Sequence, residues 1–111
     1  MAEPTPILAL VRDLMFSSKI ASAARELGIE LRVIRDPAAL GTSSGSKLFV
    51  DLNQPGAIEA ARQWKAQTGG VTIGFVSHVD AATIAQAQEA GFDQVLARGQ
   101  FTQLLPNLLR D

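Results

Sequence analysis

The chain has 111 residues, 47% of them apolar and 19% charged, with a formal net charge of −1, one histidine and no cysteine. This length and apolar content suit one folded domain, 1–111, and exclude a disordered chain. Scattered Lys and Arg argue against nucleic acid and a membrane surface, and the lack of cysteine excludes disulfides, thiolate catalysis and cysteine–zinc centres.

Met1 to Pro6 is short and polar and lacks the charged-then-apolar pattern of a leader. No apolar run approaches the ~20 residues of a membrane span, so a cytoplasmic location is expected. Ile7 to Val11 is a continuous apolar run, as in a strand buried on both faces. Phe16, Ile20, Ala24 and Leu27 then fall at helical spacing, and Gly28 stands where a helix end favours a left-handed residue. Ile29 to Ile34 alternates apolar with polar residues, which predicts an edge strand. Asp36-Pro37 predicts a capped helix start, and the Gly/Ser composition of Gly41 to Ser46 predicts that this helix is short.

Lys47 to Asp51 predicts a third strand ending in a carboxylate. Pro55 is expected to open a helix through roughly Gln67, with Ile58, Ala61 and Trp64 facing inward. Val71 to Val76 predicts a fourth strand. Asp80 then caps a helix running to Ala90, and Gly91 ends it. Asp93 to Ala97 predicts the fifth strand and Phe101 to Leu109 the last helix, with Pro106 in its first turn or kinking it.

Strands alternating with helices imply an α/β fold: a mostly parallel, doubly wound sheet with helices on both faces. Such sheets bind ligands beyond the C-terminal ends of their strands. Arg12-Asp13, Asp51-Leu52-Asn53, Ser77-His78 and Arg98-Gly99 occupy those ends. A carboxylate that accepts a phosphoryl group needs acidic ligands for Mg²⁺, a hydroxyl for one phosphoryl oxygen and a cation for another.

Those residues carry a resemblance to the receiver domains of two-component response regulators, and it covers nearly the whole chain. Val50-Asp51-Leu52-Asn53-Gln54-Pro55-Gly56 resembles the family's strand-three motif, Gly74-Phe75-Val76-Ser77 its switch-hydroxyl strand, and Glu89-Ala90-Gly91-Phe92-Asp93 its step into the fifth strand. The resemblance implies a five-stranded sheet in the order 2-1-3-4-5; the second helix, shortened before the Gly/Ser loop, departs from the family. The resemblance makes Asp51 the phosphoacceptor candidate, Asp13 the acidic-pocket residue and Ser77 the switch hydroxyl. Asn53 falls on the backbone-carbonyl metal position, Arg98 on the lysine position, and Phe101 on the phenylalanine shortly after it.

The departures are as informative. Arg12 stands where the family has an acid, Gly99 follows Arg98 in place of proline, and Val95 takes the aromatic switch position. A guanidinium opposes a bound cation by about 4 kcal/mol at ~4 Å under an effective dielectric of about 20. Arg12 is therefore expected either to bridge Asp13 and Asp51 or to point to solvent. No resident cofactor is expected, and Mg²⁺ binding, if Asp13 and Asp51 support it, is weakened by Arg12.

Other readings are bland. Asp51 and Asp13 also suit helix caps. Ser77-His78-Val79-Asp80 is better explained by an Asp80 cap than by a triad or metal site, leaving His78 as a possible modulator of the pocket. Gly41 to Ser46 precedes a strand and lacks the ending of a phosphate loop. Met15-Phe16 is expected to pack at the start of the first helix.

The leading expectation is a stand-alone pseudo-receiver, not an enzyme beyond accepting a phosphoryl group at Asp51. It would act by binding a protein partner, a histidine kinase or other signalling protein, through its fourth helix, fifth strand and last helix. The alternatives are a working phosphorelay receiver and a small flavodoxin-like ligand-binding domain.

Overall fold

Five parallel strands alternate with helices in the computed structural model, which describes residues 6–78 and 80–111. Residues 1–5, within the segment read for a leader pattern, and Val79 lie outside the described residues. The strands are β1 (Ile7–Leu10), β2 (Leu31–Ile34), β3 (Lys47–Asp51), β4 (Val71–Val76) and β5 (Gln94–Ala97). They pair in the order β2-β1-β3-β4-β5, the doubly wound order expected. Helices α1 (Leu14–Glu26) and α4 (Arg98–Arg110) cover one face of the sheet. Helices α2 (Ala57–Thr68) and α3 (Ala81–Glu89), with a 3₁₀ turn at Pro37–Thr42, cover the other. Among the described residues, no helix is long and apolar enough to cross a membrane.

The burial pattern explains the strand order. The apolar run of β1 is buried throughout and lies between β2 and β3, where both of its faces are covered. The alternating sequence of β2 suits the sheet edge, with Ile34 buried and Arg32 and Val33 exposed. Polar caps set the helix starts as read from the sequence. Asp13 accepts from the Met15 and Phe16 amides, Asp36 from the Ala38 amide and Asp80 from the Ala82 amide.

β2 begins at Leu31, two residues later than read, and three differences in the helices have a visible cause. α2 begins at Ala57, not Pro55, because Gly56 adopts φ 81° and turns the chain into the helix. Gly41 and Thr42 belong to the 3₁₀ turn; Thr42 and Ser43 hydroxyls donate to the Ala39 carbonyl and close it. α4 begins at Arg98, so Pro106 lies well past the first turn inside a continuous helix. Proline cannot donate to the Thr102 carbonyl. The last turn is secured from outside, by Lys47 Nζ donating to the Leu108 carbonyl and by burial of Leu105, Leu108 and Leu109. A cation at a helix C-terminus complements the exposed carbonyls there.

Four phenylalanines form the core between the sheet and the α1/α4 layer. Phe16 meets Phe75 edge-on at 5.0 Å, Phe75 lies 4.7 Å from Phe101, and Phe101 meets Phe49 edge-on at 5.2 Å. On the opposite face Trp64 packs among Leu40, Ala57 and Ala61, and its indole N–H donates to the Ser43 carbonyl at 3.2 Å. That bond ties α2 to the end of the 3₁₀ turn, so the short segment still closes this face. At the opposite end of the sheet from the site, one Asp93 oxygen accepts from Lys65 Nζ at 2.6 Å, the Thr72 amide at 2.8 Å and the Thr72 hydroxyl at 3.2 Å. The Lys65 bond leads in holding that carboxyl below its ordinary range.

Candidate functional site

The register brings the strand ends together. Leu10 pairs with Val50 and Asp51 with Phe75, so the chain leaves β1, β3 and β4 side by side at one end of the sheet. Arg12, Asp13, Asp51, Asn53, Gln54, Pro55, Ser77 and His78 line one open cleft there, of roughly 480 Å³. Arg98 enters from the first turn of α4 and reaches Asp13. Every site residue singled out in the sequence therefore lies in or beside this cleft.

The charges are arranged differently from the bridging expectation. Arg12 does not bridge Asp13 and Asp51: its side chain is exposed, and among the described residues it pairs with neither. The residue's ordered contact is through its backbone, whose carbonyl accepts from Arg35 Nη2 at 3.4 Å. The cation that meets Asp13 is Arg98, with Nη2 3.7 Å from Oδ2. Its guanidinium carbon also lies 4.1 Å from the centroid of the Phe16 ring. A guanidinium stacks well on an aromatic face, which a compact ammonium does less effectively. Phe16, fixed in the phenylalanine core, thus sets where Arg98 rests. Among the described residues Arg12 has no such platform.

Asp13 has a second commitment. Its other oxygen, Oδ1, accepts from the Met15 amide at 2.9 Å and the Phe16 amide at 3.2 Å, so it is the α1 cap as well as a pocket acid. Among the described residues no three Asp, Glu, His or Cys side chains group as metal ligands. The donor set at the cleft is two carboxylates, one of them capping a helix and paired with a guanidinium. Hard divalent cations seek several oxygen ligands without a competing cation, so this set fits Mg²⁺ poorly.

Asp51 is half-buried at the end of β3, and burial pushes its carboxyl above its ordinary value. The Asn53 amide, donating to Oδ1 at 3.1 Å, and the Arg98 charge oppose that rise, while the Asp13 charge adds to it. An acid raised on folding binds its proton more tightly in the folded state. Its contribution to stability therefore grows as pH falls through the window between the ordinary and raised values. Above that window the ionised carboxylate detracts. Asp51→Asn, which keeps an oxygen for the Asn53 amide, should melt higher than wild type at pH 7. The difference should shrink below the carboxylate range; thermal melts across pH check both statements.

Two residues at the site play parts that the sequence reading did not assign. Asn53 was placed as a backbone-carbonyl position, yet its side chain is engaged. Its Oδ1 accepts from the Ser77 amide at 2.7 Å and the His78 amide at 3.2 Å, joining the β3–α2 turn to the β4–α3 turn. The readiness of Asn to bond nearby backbone at turns was the available signal, but not the partner. Gln54 is only 7% exposed and donates from Nε2 to the Arg35 carbonyl at 2.8 Å, linking the site to the chain leaving β2. Nothing in its local sequence marks that link. Ser77 and His78 are both exposed at the cleft rim, as the sequence placed them.

With this geometry in view, solved structures decide the architecture. The chain superposes on a CheY-like receiver domain from Methanospirillum hungatei with a TM-score of 0.83, at 13% identity, over 97% of this chain and 92% of that one. It carries the receiver fold. The beryllofluoride-activated receiver domain of DrrB matches with a TM-score of 0.82 at 14% identity, over 97% of this chain and 96% of that one. The receiver domain of NarL from Mycobacterium tuberculosis matches at 0.79 and 16% identity, over 99% and 96%. No protein-family model matches the sequence, and no curated protein is similar to it in sequence.

Proposed function

We propose that this chain is a signalling module on the receiver fold that works by binding another protein, with a pocket balanced by a resident guanidinium in place of a metal. The observation that carries this reading is the double commitment of Asp13, which caps α1 and pairs with Arg98 at 3.7 Å. The acid that would hold Mg²⁺ already has other partners, and Arg12 stands where a further acid would be needed. No resident cofactor is part of this reading, and no chemistry beyond acceptance of a phosphoryl group at Asp51. The partner is a histidine kinase or other signalling protein, at a cytoplasmic location. It meets the face of α3, β5 and α4, where β5 is a sheet edge whose residues are all at least partly exposed. An unpaired, accessible strand edge is a ready surface for another chain.

A second reading, the working phosphoacceptor, has an observation in its favour: Asp51, Asp13 and Ser77 line one cleft, and the Arg98 charge reaches Asp51. One experiment separates the two. Wild type, Arg12→Asp and Asp51→Asn are incubated with acetyl phosphate and Mg²⁺, and intact-mass spectra are recorded. The leading reading expects no Mg²⁺-dependent adduct on wild type and an adduct on Arg12→Asp, with Asp51→Asn unmodified. The gain should stand clear of the background seen with Asp51→Asn, because the new carboxylate supplies an oxygen ligand that a hard divalent cation lacks there. Equal modification of wild type and Arg12→Asp would establish the second reading instead.

A further inference from the structure

The β3–α2 turn contains a single-residue link between the carboxylate and the rim of the cleft. The Asn53 amide donates to Asp51 Oδ1 at 3.1 Å, and Asn53 Oδ1 accepts from the Ser77 amide at 2.7 Å and the His78 amide at 3.2 Å. The flanking backbone is pinned. Leu52 N–H donates to the Phe75 carbonyl at 2.9 Å and Gln54 N–H to the Asp51 carbonyl at 3.2 Å. The Gln54 side chain is itself held to Arg35. The freedom left at this point is in the Asn53 peptide and its carboxamide. Both amides that follow β4 converge on that one oxygen, so their position depends on where Asn53 stands.

We infer that Asn53 is a positioning residue through which the state of Asp51 sets the placement of Ser77 and His78. A strong acceptor at Asp51 holds the Asn53 amide, and the carboxamide then holds the two rim amides. Loss of that acceptor, or its conversion to an acyl phosphate, weakens the first bond and loosens the second pair. Bonds that share one residue act as a unit and are measured by their coupling. Other charged groups near Asp51 are Asp13 at the start of α1, Arg12 after β1 and Arg98 at the start of α4, and Asp80 follows the rim on α3. None of them makes a hydrogen bond that spans both Asp51 and the rim amides among the described residues.

The inference rests on the reading of Asp51 as the reacting carboxylate only for its biological meaning. The link itself is testable without any phosphoryl donor. Amide hydrogen exchange of Ser77 and His78 is followed by NMR in a cycle of variants. Asp51→Asn, which keeps the acceptor, should leave both amides as protected as in wild type, whereas Asp51→Ala should speed their exchange several-fold. In an Asn53→Ala background exchange should be fast already, and Asp51→Ala should add nothing. Asn53→Asp, which keeps the accepting oxygen, should restore protection. If Asp51→Ala speeds exchange equally with and without Asn53, or leaves both amides unchanged in the wild-type background, the link is refuted. Exchange at amides of β1, read in the same spectra, shows that each variant is folded. Mg²⁺-dependent modification of wild type equal to that of Arg12→Asp would overturn the leading functional reading while leaving this exchange pattern intact.

Discussion

Phe101→Ala should cost roughly 3–5 kcal/mol, the ordinary range for deleting a fully enclosed aromatic ring. Phe101 has no exposed surface and touches three other rings: Phe75 at 4.7 Å, Phe49 at 5.2 Å and Phe16 at 6.0 Å. These rings come from α1, β3, β4 and α4, so truncation leaves a void that no single element can close by shifting. A domain of this size is stable by about 5–15 kcal/mol in total, and the variant should sit near the lower limit for folding. Urea unfolding followed by circular dichroism reads the loss as a fall in midpoint at unchanged slope. A second consequence is local. Phe16 carries the Arg98 guanidinium, so loosening the cluster should also loosen the Arg98–Asp13 pair. A loss of unfolding free energy below about 1 kcal/mol would show that the cluster is less tightly packed than its ring distances imply.

Gly74→Ala should cost about 1–3 kcal/mol by overpacking, although the change adds only a methyl group. A Cβ at this position in β4 would lie 2.7 Å from three atoms of the Leu52 side chain. Leu52 is 3% exposed and its amide is bonded to the Phe75 carbonyl, so neither its side chain nor its backbone has room to withdraw. Leu52 lies between Asp51 and Asn53, and the strain should be felt at the site as well as in the core. The double variant Gly74→Ala/Leu52→Ala identifies the cause. Because the added methyl would occupy part of the space Leu52 vacates, its loss should be clearly smaller than the two single losses added together. Simple additivity would rule out the clash as the reason.

Much of the fold was legible in the chain itself. The apolar runs of β1, β3 and β4, the Asp caps at 13, 36 and 80, and the left-handed glycines at 28 and 91 are local signals that the structure follows. Where the reading slipped, a single residue shifted a boundary that its neighbours did not announce. Gly56 delays α2, and α4 runs through Pro106 because Lys47 and buried leucines secure the turn beyond it.

The site was legible as a list of residues but not as an arrangement. The alternation of strands and helices determines that residues just after the strands gather at one end of the sheet, which is why Asp13, Asp51, Asn53, Ser77 and Arg98 meet. The tertiary structure alone decided which arginine pairs with Asp13. Arg12 and Arg98 are long, flexible side chains with the same charge, and local sequence does not distinguish their reach. The Phe16 ring, contributed by another helix, gives Arg98 a surface to rest on and leaves Arg12 in solvent. The same holds for Asn53, whose amide and carboxamide find partners on two different strands' ends. Backbone propensity is written in neighbouring residues; the choice among side-chain partners is written only in distances between segments far apart in the chain.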